Sequence, residues 1–132
     1  MNYLFESIFV GIFTCIVYWV VYGTIGNLIH IPIHVLLFVV GFLKHALGYI
    51  FLHNLYCKYG SACVSYNRSS AKYTNLLLLE CIGEGILYLV YGSVLLHIFH
   101  SLSVIFFIIG ASLHIMFEQL QVHTWFCSAR CY

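Results

Sequence analysis

Two histidine–cysteine pairs recur at one spacing in this chain, His53 with Cys57 and His123 with Cys127. Residues at i and i+4 share one face of a helix, so each pair can chelate a single cation. Two such pairs on neighbouring helices would make a Cys2His2 set, the composition of a tetrahedral structural zinc site. The spacing differs from that of a zinc finger, and two rival uses stay open. One is a disulfide, Cys57 with Cys127 or Cys63 with Cys131. The other is a set of unrelated free thiols. Cys15 and Cys81 lie inside apolar runs and read as small buried hydrophobes.

A second group of reactive side chains sits within apolar sequence: Lys44, His45, Glu80, Glu84, His114 and Glu118. Ionisable groups in such surroundings are costly and mark function by default. Carboxylates and imidazoles in a row could relay protons. Three Glu and two His could bind two metal ions, although the Glu-x-x-His ligand pattern of four-helix di-metal proteins is absent. His45 and His114 could supply the two axial ligands of a haem. The plainest use is a satisfied polar network that fixes helix register, with Lys44 paired to Glu84 or Glu80. A third group, His30, His34, His97 and His100, reads as histidines at helix ends, or as a pH sensor or metal-uptake point. No nucleophile motif, phosphate-binding glycine loop, Cys-x-x-Cys or dinucleotide fingerprint occurs, so the sequence supports no catalytic machinery of a recognised type.

The elements that must hold these residues follow from composition. The chain has 132 residues, of which 63% are hydrophobic and 7% charged. A soluble domain is about 25% charged, so a water-soluble globule is excluded as an expectation. A net charge of +1 offers no footprint for nucleic acid. An all-α integral membrane bundle remains. A membrane span needs ~20 mostly apolar residues, and four runs qualify, at about 7–28, 33–56, 73–96 and 102–122. They form a single domain over 1–132, with a polar loop at 58–71. The first run reads as a retained span, not a cleaved leader, since it lacks a basic start and Glu6 stands near its beginning.

Four spans place both ends of the chain and the central loop on one side. Lys58, Arg68, Lys72 and Arg130 fall there, so the positive-inside rule predicts that both termini are cytoplasmic. The two halves also resemble each other. A shift of 69 residues sets Val21-Tyr22-Gly23-Thr24 on Val90-Tyr91-Gly92-Ser93, Phe38 on Phe107, Gly41 on Gly110 and His45 on His114. Two helical hairpins related by internal duplication would explain this.

Helical periodicity assigns each span one polar or small-residue face. These are Ser7, Gly11, Thr14, Tyr18 and Tyr22; His34, Gly41, His45, Gly48 and Tyr49; Tyr73, Glu80, Glu84, Tyr88 and Tyr91; and Ser103, Gly110, His114, Glu118 and Gln121. Such faces should turn inward, because polar groups in hydrocarbon must find partners. The function expected is structural: a small multi-pass protein in the bilayer, packing with itself or with other membrane proteins. Compact virus-encoded or organelle membrane components share this design. Proton or ion transport through the buried Glu, His and Lys is the alternative. A haem- or metal-binding redox protein is the third reading, with zinc the favoured cofactor over haem.

Overall fold

The computed structural model describes residues 3–51 and 71–120. Four helices form a bundle: α1 (Tyr3–Leu28), α2 (Ile33–Phe51), α3 (Ala71–Leu95) and α4 (Leu102–Gln119). Pro32 stands just ahead of α2 and its carbonyl accepts the Leu36 N–H at 3.0 Å. Proline is tolerated there because a helix's first N–H groups have no partner within the helix. Ser101 does the same for α4, its carbonyl accepting the Ile105 N–H at 3.1 Å, and serine is a favoured N-cap. Beyond α3, Phe99 N–H still reaches Leu95 O at 2.9 Å, which winds the chain tightly into α4.

The helices joined by short turns are not the ones that pack most closely. α1 lies chiefly against α4 and α2 against α3, while α1–α2 and α3–α4 touch less. Glycine explains the choice. A methyl group at Gly11 would lie 2.8 Å from the Phe107 ring, and one at Gly85 would lie 2.8 Å from the Phe38 ring. A methyl at Gly41 would meet Tyr88 Cγ at 2.7 Å, and one at Gly110 would overlap Thr14. Every one of these close approaches belongs to α1–α4 or α2–α3. Small residues let backbones approach and let side-chain dispersion accumulate.

The two close interfaces use equivalent contacts. Gly11 on Phe107 answers to Gly85 on Phe38, and Gly110 on Thr14 answers to Gly41 on Tyr88. Tyr18 stacks on Phe106 with ring centroids 4.7 Å apart, and the matching place is filled by Leu37 against Gly92. The correspondence carries α2 to α4 by 69 residues but α1 to α3 by 74, as Gly11 to Gly85 shows. The Val21-Tyr22-Gly23 match to Val90-Tyr91-Gly92 is therefore not a spatial one. α1 runs on past the packed region before α2 begins, and Tyr22 through Asn27 are largely exposed. Tyr22 and His34 accordingly face outward, against the expectation that they turn in.

Charged and polar groups share the interior with apolar ones, while much of the outer surface is apolar. Ser7, Thr14, His45, Glu80 and Glu84 are buried, whereas Phe5, Phe9, Trp19, Val20, Leu79 and Val90 are each more than half exposed. α1 and α3 hold apolar stretches long enough to cross a membrane, Leu4–Leu28 and Leu77–Leu95. The apolar stretches in α2 and α4 are shorter, Ile33–Gly48 and Leu102–Phe117.

Candidate functional site

The buried charges gather between α2 and α3. Lys44 and His45 are consecutive on α2, and Glu80 and Glu84 are one turn apart on α3, so each pair faces the other helix at one level. Lys44 Nζ lies 2.6 Å from Glu84 Oε1. His45 Nδ1 bonds to Glu84 Oε2, and His45 Nε2 lies 3.2 Å from Glu80 Oε2. The His45 ring thus has a glutamate at each nitrogen, and Glu84 is shared between His45 and the Lys44 ammonium. Charge-assisted bonds of this kind are about twice as strong as neutral ones, and the glutamates are almost fully enclosed, at 5% and 4% side-chain exposure.

A smaller pair occupies the equivalent place between α1 and α4. His114 Nε2 lies 3.3 Å from Glu6 Oε2. Under the correspondence that relates the two interfaces, His114 answers to His45 and Glu6 to Glu80. The positions answering to Lys44 and Glu84 are Leu113 and Val10, both buried and apolar. Near the centre, Thr14 Oγ1 and Tyr88 Oη are 3.3 Å apart, and these two residues also answer to each other. Further along, Trp19 Nε1 donates to Ser103 Oγ at 3.0 Å. The matching positions, Ser93 and His34, are joined at 3.4 Å.

On the turn side of the Thr14–Tyr88 contact the buried side chains are apolar, and the Trp19–Ser103 and Ser93–His34 bonds lie at the exposed surface. Val17, Val21, Leu36, Leu37, Leu95, Ile105 and Phe106 fill the interior there, with Tyr18 stacked among them. Charge is thus confined to one half of the bundle among the described residues.

The predicted site residues divide accordingly. Lys44, Glu80 and Glu84 come together with His45. His45 and His114 stand on α2 and α4, at equivalent positions of the two separate interfaces, and each faces carboxylate. The side chain of Glu118 lies outside the described residues, as do His53, Cys57, His123 and Cys127, the proposed zinc ligands. Among the described residues no group of three or more His, Cys, Asp or Glu side chains is arranged to hold a metal ion.

Glu6 is a participant outside the predicted site, because it precedes the first apolar run, which begins at about Ser7. A signal for it exists. Leu-x-Glu-x-Ile-x-x-Gly-Ile occurs at residues 4–12 and again at 78–86. The motif contains both the glutamate that meets a histidine and the glycine that meets a phenylalanine. No family model, curated protein or solved structure matches the chain.

Proposed function

We propose that this is a small multi-pass integral membrane protein of structural or assembly type, whose buried ion pairs clasp its helices together. The observation that carries the reading is where the bundle puts its charges and its apolar bulk: ion pairs buried inside, large apolar side chains exposed outside. In water, exposed Phe5, Phe9, Trp19 and Leu79 would cost free energy and drive aggregation. In lipid the same surface is solvated, and the interior charges are the groups that need partners. The lipid bilayer is the first partner, and other copies or other membrane proteins are the second. Both termini and the 58–71 loop lie on the cytoplasmic side. The two hairpins are copies of one ancestral unit, supported by the repeated Leu-x-Glu-x-Ile-x-x-Gly-Ile motif and the paired contacts of the two interfaces.

A structural role suits the charged groups better than conduction does. A relay needs polar groups through the interior across the full thickness, and the turn-side interior holds Leu37, Ile105 and Phe106, with the polar contacts Trp19–Ser103 and Ser93–His34 at the exposed surface. Purified protein in liposomes separates the readings. Proton flux should equal that of empty liposomes, while the protein stays in the membrane after alkaline carbonate washing. Flux above background that Glu84→Gln abolishes would make this a conductor, and release by carbonate would remove the membrane reading itself.

A further inference from the structure

The equivalence of the two close interfaces creates a pairing problem for this chain. The α2 surface that receives α3 is built like the α4 surface that receives α1: Phe38 and Phe107 each cover a glycine, and His45 and His114 each meet a glutamate. A second copy could therefore exchange hairpins with the first. The α1–α2 hairpins of two copies would pair with each other, and so would their α3–α4 hairpins. Phe38 would then cover Gly11 of the other copy and His45 would meet its Glu6. Most contacts would survive the exchange.

Thr14–Tyr88, Tyr18–Phe106 and Leu37–Gly92 would be re-paired, but only one contact carries charge. Lys44 bonds to Glu84 in the closed chain at 2.6 Å, whereas the matching positions are Leu113 and Val10. After exchange, Lys44 would face Val10 of the other copy and Glu84 would face Leu113. Each copy would lose the Lys44–Glu84 bond while both side chains stay in the interface, Lys44 against a valine and Glu84 against a leucine. We propose that the asymmetric Lys44–Glu84 pair is a pairing lock, which makes the bundle close on itself and rejects hairpin exchange with a second copy. Specificity of this kind works by penalising the wrong partner. An uncompensated buried charge shifts such an equilibrium by a factor on the order of 100 or more. The inference rests on the geometric equivalence of the interfaces and applies in micelles or lipid alike.

The lock predicts a pattern across four full-length variants. Wild type carries the pair in one interface. Lys44→Leu with Glu84→Val copies Leu113 and Val10 and leaves the pair in neither. Leu113→Lys with Val10→Glu, in the wild-type background, puts it in both. All four substitutions together move it to the other interface. The two symmetric proteins lose no ion pair on exchange, and the two asymmetric ones do. Tyr88 would meet a second Tyr88 after exchange, but this restrains all four proteins equally and cancels from the comparison.

The test co-expresses two copies with different tags, purifies through one tag in mild detergent and quantifies the other by immunoblot. Both symmetric variants should retain the second tag on the order of tenfold or more above wild type, and the relocated pair should return it to the wild-type level. Having two symmetric variants guards against one failing to fold. Equal recovery from all four proteins would overturn the lock. So would exclusion of the second copy by folded symmetric variants, or exchange by wild type itself.

Discussion

Lys44→Met should be more damaging alone than together with Glu84→Gln. The Lys44 side chain is 15% exposed and the Glu84 side chain 4%, so their 2.6 Å contact is largely shielded from solvent. Breaking a buried pair from one side costs ~3–5 kcal/mol, while removing both members is near neutral. The geometry places the single changes within that range. Lys44→Met leaves Glu84 in contact with His45, which holds the loss to ~3 kcal/mol. Glu84→Gln takes the carboxylate from Lys44 and from one nitrogen of His45 at once, and should reach ~5 kcal/mol. The double variant keeps His45 on Glu80, the arrangement that His114 and Glu6 already show. Its loss should stay within ~1 kcal/mol, which gives a coupling of several kcal/mol in a double-mutant cycle. Reversible unfolding in mixed micelles by dodecyl sulfate titration, followed by tryptophan fluorescence, measures all four corners. A double variant that loses the sum of the two single effects would refute the clasp and show that the two side chains act separately.

Gly11→Ala and Gly85→Ala should each destabilise the bundle by ~1–3 kcal/mol through overpacking against Phe107 and Phe38. Gly23→Ala and Gly83→Ala, where a methyl meets nothing within 4 Å, should be neutral or gain the ~0.5–1 kcal/mol of helix propensity; the same unfolding assay compares them. Single cysteines at Ser61 and Ser101 should be labelled from opposite sides of the membrane by an impermeant maleimide, and labelling from one side would rule out four spans. If the two His-x3-Cys pairs hold zinc, elemental analysis should find about one zinc per chain, lost in Cys57→Ser with Cys127→Ser. Thiolate ligation makes that binding weaken as pH falls, whereas a disulfide would resist chelators and yield to reductant.

The helical faces were legible because burial follows a period of 3.6 residues whatever the solvent. Ser7, Gly11, Thr14 and Tyr18 turn inward together, and so do Gly41, His45 and Gly48, as do Glu80, Glu84 and Tyr88. Counting depth from the ends of the apolar runs also set Lys44 level with Glu84, since helix rise is fixed at ~1.5 Å per residue. Which helix lies beside which was not legible. Periodicity names the inward face of a helix but not the neighbour that receives it. Here the glycines decide, and their effect depends on which aromatic ring arrives opposite.

The register of the repeat failed for a related reason. Apolar sequences align at several offsets, and 69 residues is the right offset only for α2 and α4. The first hairpin carries five more residues than the second between the aligned positions, and they lie where α1 overruns the bundle. That overrun also displaces Tyr22, which an inward stripe continued past Tyr18 would have buried. An offset that changes inside a turn leaves each helix internally consistent, so helix periodicity cannot reveal it. Paired contacts can, because the glutamate, glycine and histidine of one hairpin must meet the same kinds of partner as those of the other. Those contacts also expose the place where the halves differ in charge. Val10 and Leu113 are the interior solution without a charge, and Glu84 and Lys44 the solution with one, at equivalent positions of one chain. The pair is therefore not required to fill that space, which fits the proposed role in rejecting the wrong partner.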